Sequence, residues 1–245
     1  MTQQTPKQIT APIADLMRRP DGPRDRQLIF GDTVTDLGID GQWHYVQAAK
    51  DGYCGYLQSQ FLGPVQPATH IVHAPATHAY RAADFKSPNQ CGLTFSSRVT
   101  ALSETGKYVE TSLGFIPKQH LSPANRLFSD PASVAAFFLG TPYLWGGNSR
   151  WGIDCSGLVQ TALLACGIPC PGDSHMQETL GQAATGTFKR NDLLFWKGHV
   201  ALVSDPQTLI HANAGAMACV YEPILDAIAR IQSQGDGPLT AHRRL

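Results

Sequence analysis

An α+β domain behind two small all-β units is the fold class this sequence predicts, and three observations predict it. Residues 8–66 hold short β-like runs broken by turn signals, and residues 67–122 repeat that texture. Gly55-Tyr56-Leu57…Gln60…Leu62 recurs as Gly114-Phe115-Ile116…Gln119…Leu121, every match offset by 59. A constant offset over five positions points to duplication of one module. Residues 123–245 read differently, as helices followed by an antiparallel sheet.

In the first unit the strand candidates are Gln27–Phe30, Thr33–Leu37, Trp43–Ala48 and Gly52–Leu57, with Asp40–Gly41 and Asp51–Gly52 as hairpin turns. Gly63–Pro67 reads as the joint between the two modules. Small barrels of this kind serve either as ligand binders or as rigid packing partners, and the residues leave both open.

In the third unit, Pro131–Gly140 has a helical pattern. Ser129 or Asp130 is the N-cap, Pro131 opens the first turn, and Val134, Phe137 and Phe138 share a face. The next helix starts at or beside Cys155. Asp154 caps it, Leu158, Val159 and Ala162 continue the apolar face that carries Cys155, and Gly167 and Pro169 end it. Asp192–Trp196, His199–Val203 and Thr208–Ala212 follow as strands, with Asp205–Pro206 as the turn between the last two.

Composition narrows the function. There are 245 residues with 19 basic and 19 acidic side chains, so no basic field is available for general nucleic-acid or anionic-membrane binding. No stretch is long and apolar enough to span a bilayer. Met1-Thr-Gln-Gln-Thr-Pro-Lys7 lacks the apolar core of a signal peptide, which gives an expected cytoplasmic location. The six cysteines, at 54, 91, 155, 166, 170 and 219, show no paired spacing. They suggest neither disulfides nor a metal centre, and Cys166 reads as core.

A thiol at the start of a helix feels the positive end of the helix dipole, which favours the thiolate, and nearby N–H groups can hold a developing oxyanion. The bland alternative is that Cys155 is a buried small apolar residue. His199, Ala201 and Val203 share one strand face, as do Leu209, His211 and Asn213. A hairpin centred on Asp205 makes His199 and His211 direct cross-strand neighbours. A nucleophilic Cys needs a base, and the base needs a third group to orient it. Cys155, His199 and His211 can supply those roles. A zinc site built from the same side chains is the competing reading.

Four motifs in order carry a resemblance: Tyr143-x-Trp145-Gly-Gly, Asp154-Cys155-Ser156-Gly157-Leu158-Val159, Asp192-Leu-Leu-Phe-Trp…Gly198-His199-Val200-Ala201, and Ile210-His211-Ala212. Over residues 130–215 the chain resembles the NlpC/P60 cysteine peptidases. The resemblance implies a papain-like fold, with Cys155 as nucleophile, His199 as base, His211 as orienting group and Tyr143 beside the oxyanion site. It implies no cofactor and no metal. Arg190-Asn191-Asp192 departs from the family's Pro-Gly-Asp.

The two N-terminal units resemble bacterial SH3 domains. Together with the catalytic domain they are similar to the subgroup that cleaves γ-D-glutamyl–diamino acid bonds in murein peptides with a free N-terminal L-alanine. That resemblance implies substrate contacts from Asp154, Ser156, Asp173, Ser174 and Tyr53, with Asp25 as a further acidic candidate. For Asp173 and Ser174 a helix N-cap ahead of Met176–Leu180 is the structural alternative. The expected partner is a murein peptide, with neither nucleic acid nor membrane insertion. An amidase or acyltransferase using the same three residues, or a non-catalytic murein-binding protein, are the other readings.

Overall fold

The protein is described by a computed structural model over residues 5–245, so Met1–Gln4 of the leader reading lie outside the described residues. The chain forms two compact units, one ending at Arg126 and one spanning Leu127–Leu245.

The first unit is all β apart from short 3-10 turns. Strands β1 (Thr5–Ile9), β2 (Ile13–Met17), β3 (Arg24–Ile29), β4 (Thr33–Asp40), β5 (Trp43–Ala48), β6 (Cys54–Gln58) and β7 (Leu62–Gly63) make one sheet in the order β3-β2-β6-β5-β4-β1-β7. Sequence patterning finds β3 to β6 and misses β1 and β2, whose alternation is short and broken by polar residues. Ile9, Leu16, Leu28, Val34, Val46 and Leu57 fill the core of this sheet. Gly41 and Gly52 take φ +60° and +75° at the two predicted turns, a backbone region open mainly to glycine.

Strands β8 (His70–Val72), β9 (Ala76–Tyr80), β10 (Asn89–Thr94), β11 (Arg98–Val99), β12 (Ser103–Thr105), β13 (Tyr108–Thr111), β14 (Gly114–Pro117) and β15 (Leu121–Pro123) follow. They form the sheets β10-β9-β14-β13-β12 and β11-β8-β15 around Val72, Leu93, Val109 and Ile116. The matched segments have matching chain paths. β6 runs through a 3-10 turn at Ser59–Phe61 into β7, and β14 runs through one at Lys118–His120 into β15. Leu57 and Ile116, one offset apart, are both fully buried.

The second unit begins with α1 (Pro131–Ala135), which continues as a 3-10 turn to Phe138. A small hairpin, β16 (Asn148–Ser149) and β17 (Gly152–Ile153), leads into α2 (Cys155–Ala165) and the short α3 (Ser174–Gln177). Strands β18 (Gln182–Ala183), β19 (Leu193–Trp196), β20 (His199–Asp205), β21 (Thr208–Asn213), β22 (Ala218–Pro223) and β23 (Ala241–Arg244) form a sheet in the order β18-β23-β19-β20-β21-β22. Helix α4 (Ile224–Ser233) lays Ile224, Ala227 and Ile231 against Ala201, Val203 and Leu209. α4 therefore covers the strand face that also carries His199 and His211. Among the described residues no helix is long and apolar enough to cross a membrane.

Asn191 takes φ +72°. Asn is one of the few side chains that enters the left-handed region readily, so it performs the turn that glycine makes elsewhere. Its Oδ1 also accepts the Ala132 N–H at 2.9 Å, satisfying a donor in the first turn of α1. Cys166, read as core, instead stands half-buried at the C-cap of α2, one residue past the helix.

Candidate active site

One carboxylate organises the surroundings of Cys155. Asp154 Oδ1 accepts the Gly157 N–H at 2.7 Å and the Ser156 hydroxyl at 3.2 Å, and Oδ2 accepts the Gly146 N–H at 2.8 Å. It thus caps α2 and pins the Tyr143–Gly147 loop to the helix's first turn. Glycine is required for this approach: a Cβ on Gly157 would lie 2.5 Å from the Gly147 carbonyl oxygen. Tyr143 is held in turn by its N–H donating to the Met217 carbonyl at 2.9 Å.

Cys155 opens α2 and is 7% exposed. Its thiol points at the Gly198 carbonyl oxygen, 4.0 Å away, which places it at the start of β20. Burial pushes the thiol up to about 12, and the Asp154 charge adds to that. Hydrogen bonds from the Val200 and Ser156 N–H groups oppose the shift but do not outweigh it. The expectation of a thiolate favoured by the helix start is therefore corrected. Desolvation is worth several pK units at a buried site, more than a helix terminus supplies.

His199 Nε2 lies 2.9 Å from His211 Nδ1, with the rings edge-on and their centroids 5.1 Å apart. The two are brought together as expected, but by a different register. Leu202 faces Ile210 and Val203 faces Leu209, with an irregularity between Val203 and Asp205. Continued along the strands, this places His211 opposite Ala201 and makes the two histidines diagonal rather than direct neighbours. The Asp205 side chain accepts the Gln207 N–H at 2.9 Å, so the turn closes around Pro206 and Gln207 instead of Asp205. The slip is by two residues, so both rings keep their face.

Burial pushes His199 down to about 3, with repulsion from His211 adding to it, and pushes the fully buried His211 down to about 4. Burial thus favours the uncharged forms of the thiol and of both imidazoles. Sequence reasoning missed the next partner. His211 Nε2 lies 2.9 Å from Glu222 Oε2, and Arg230 grips that carboxylate through Nε–Oε1 at 2.8 Å and Nη2–Oε2 at 2.7 Å. The helical spacing of Ile224, Ala227 and Ile231 was the available signal for α4 and so for Arg230. An open cleft of about 200 Å³ is lined by Tyr143, Cys155, His199 and Asn213 and reaches α4 at Arg230 and its C-cap at Gln234.

Asp173 stands at the N-cap position of α3, but its side chain makes no capping bond, and it and Ser174 are half-buried. Gln177 ties this turn to α2, its Nε2 donating to the Ser156 and Pro171 carbonyls at 2.9 Å each. Tyr53 and Asp25 belong to the first unit. The Tyr53 ring carries the Arg26 guanidinium at 4.6 Å and packs on the sheet core. Asp25 is held by Arg18 through Nη2–Oδ1 at 2.6 Å and Nε–Oδ1 at 2.9 Å, so its carboxylate already has a cationic partner.

The histidines make stability pH-dependent in a defined window. Folding lowers both pKa values, so between about 6.5 and the folded values the unfolded chain binds more protons. Their contribution is complete above about 6.5 and is lost as pH falls towards 4, at up to about 1.4 kcal/mol per pH unit for each ring. Melting curves should fall across pH 6.5–4 in the wild type and more shallowly in His199→Ala. Parallel curves would show that the rings are not buried neutral.

The chain matches the NlpC/P60 family over residues 140–225 and the bacterial dipeptidyl-peptidase SH3 domain over residues 16–62. It is 30% identical over 244 residues to the gamma-D-glutamyl-L-lysine dipeptidyl-peptidase of Bacillus subtilis, covering 85% of this chain and 81% of that one. It is 26% identical over 236 residues to dipeptidyl-peptidase 6 of Lysinibacillus sphaericus, covering 84% and 87%. An NlpC/P60 family protein from Bacillus cereus has the same fold, with a TM-score of 0.81 over 98% of this chain and 99% of that one at 20% identity. Identity at the level of the Bacillus subtilis protein, sustained over most of both chains, reaches beyond fold: the chain belongs to the NlpC/P60 family, with a bacterial SH3-type domain ahead of its catalytic unit.

Proposed function

We propose that the protein is a cysteine peptidase that hydrolyses the γ-D-glutamyl–diamino acid bond of murein peptides bearing a free N-terminal L-alanine, in the recycling of cell-wall peptides. The observation that carries this reading is the 2.9 Å His199–His211 contact at the cleft that Cys155 lines. The name of the Bacillus subtilis relative supports the bond assigned. Cys155 attacks the γ-carbonyl of D-glutamate while His199 takes the thiol proton, giving a tetrahedral oxyanion. Collapse expels the diamino acid, whose amine receives that proton, and leaves a thioester. His199 then deprotonates the water that releases the dipeptide. N–H groups in the first turn of α2 and the Tyr143 hydroxyl are the candidate oxyanion donors. Residues 67–122 are proposed as a second SH3-like barrel after 8–66, on the shared path of the offset segments, with 123–245 as the catalytic domain.

Incubation with L-Ala-γ-D-Glu-diamino acid peptides should release L-Ala-γ-D-Glu, read by mass spectrometry. Unchanged substrate from a folded protein that still binds it would refute the peptidase.

Asp173, Ser174 and Ser156 are proposed to receive the substrate ammonium. A partly buried carboxylate left facing a neutral amide loses its ion pair and keeps its desolvation cost. Acetylating the L-alanine amine should therefore lower kcat/KM about 100-fold, about 2.7 kcal/mol. Equal cleavage of acetylated and free peptides would sink the assignment, as would an undiminished preference in Asp173→Asn.

A further inference from the structure

We propose that Glu222, clamped by Arg230, is a positioning residue that fixes the proton of His211 on Nε2 and so decides which nitrogen of His199 is basic. The inference rests on the reading of His199 as the base. Both nitrogens of the buried His211 are engaged, Nδ1 by His199 at 2.9 Å and Nε2 by Glu222 at 2.9 Å. The two-point grip of Arg230 keeps Glu222 ionised, with its pKa lowered, and a carboxylate can only accept. The carboxylate therefore favours the proton on Nε2.

Asn213 pulls the other way: its Oδ1 already accepts the Ala216 N–H at 2.7 Å, so its NH2 edge faces Nε2 at 2.9 Å and suits a lone pair there. A charge-assisted bond to a carboxylate is about twice as strong as a neutral one, so Glu222 prevails over the amide. A neutral His211 has one ring proton. With that proton on Nε2, Nδ1 offers a lone pair, and His199 Nε2 must donate to it. The one lone pair left on His199 is then at Nδ1, the nitrogen not committed to His211. Two rings in series thus pass the constraint from Glu222 on β22 to the base on β20. The groups that set it are His199, Asn213, Glu222 and Arg230, one each from β20, β21, β22 and α4. Without the carboxylate, the reversed arrangement becomes open: His211 carries its proton on Nδ1, and His199 is left protonated on the wrong nitrogen.

Long-range 15N–1H spectra of histidine-labelled protein read the tautomers directly. The wild type should show His211 as Nε2–H and His199 as Nε2–H. Nδ1–H on His211 would overturn the proposal by itself, whether or not any variant folds. Glu222→Gln should give mixed or reversed tautomers and lower kcat about 10- to 100-fold, with KM little changed. The loss should largely vanish when the same change is made in a His211→Asn background, because no ring remains to orient. Unchanged tautomers in Glu222→Gln, or the same kcat loss in both backgrounds, would overturn it. Tautomers that change while kcat does not would leave the positioning in place and remove His199 from its role as base.

Discussion

His199→Ala should all but abolish turnover, by about 10,000-fold or more in kcat, whereas His211→Asn should leave activity that steady-state kinetics can measure. The two side chains touch, yet they do different work. In the proposed mechanism His199 takes the thiol proton, returns it to the leaving amine and then activates water, so its loss should be felt in every chemical step. His211 holds His199 through one 2.9 Å contact. An asparagine in its place offers a carboxamide oxygen on the same face of β21, and Glu222 keeps Arg230 as its partner. Orientation then weakens without disappearing. Equal and total loss from both variants, in protein with an unchanged melting curve, would contradict this division of labour and point to a metal shared by the two rings.

Asp192→Ala should lower the melting temperature of the second unit on the order of 10 °C, for a loss of about 3 kcal/mol. Asp192 is 1% exposed and binds four donors. They are His242 Nε2 at 2.6 Å, Arg244 Nε at 2.8 Å, Arg244 Nη2 at 2.7 Å and the Lys189 N–H at 2.8 Å. The two side-chain partners lie on β23, which is inserted between β18 and β19. One carboxylate therefore fastens the C-terminal strand into the sheet. Removing it strands the buried His242 and leaves only the hydrated part of Arg244 compensated. Asp192→Asn, which keeps shape and some acceptor capacity, should lose less. The Arg244 guanidinium, with His242 assisting, also holds the Asp192 carboxyl below its usual range against the opposing effect of burial. That contribution is present above the ordinary carboxylate range and is lost as pH falls through the folded value, a window below that of the histidines. A melting temperature unchanged in Asp192→Ala would mean that β23 is held by its backbone bonds alone.

Both outcomes depend on partners far apart in the chain, and this separates what could be read early from what could not. The α2 start was legible because its determinants are neighbours. Asp154 caps Gly157 three residues on, and Gly167 leaves the helix at φ +74°. The Asn191 departure was legible as a change of residue type, while its accommodation needed the backbone angle. The early strands β1 and β2 were not legible, since a few residues of alternation are no stronger than chance turns between them.

The sequence by itself singled out Cys155, His199 and His211 as the candidates and determined which face each occupies. Helix caps act within one turn, and strand alternation survives any even slip of register, so His199 and His211 stayed on one face although the hairpin closed elsewhere. Tertiary structure alone decided the rest: the diagonal pairing, the Glu222–Arg230 clamp and the burial that favours the neutral forms of Cys155 and His199. The physical reason is range. Desolvation and ion pairing depend on whatever the fold packs around a group, and here that includes a helix and a strand from distant parts of the chain.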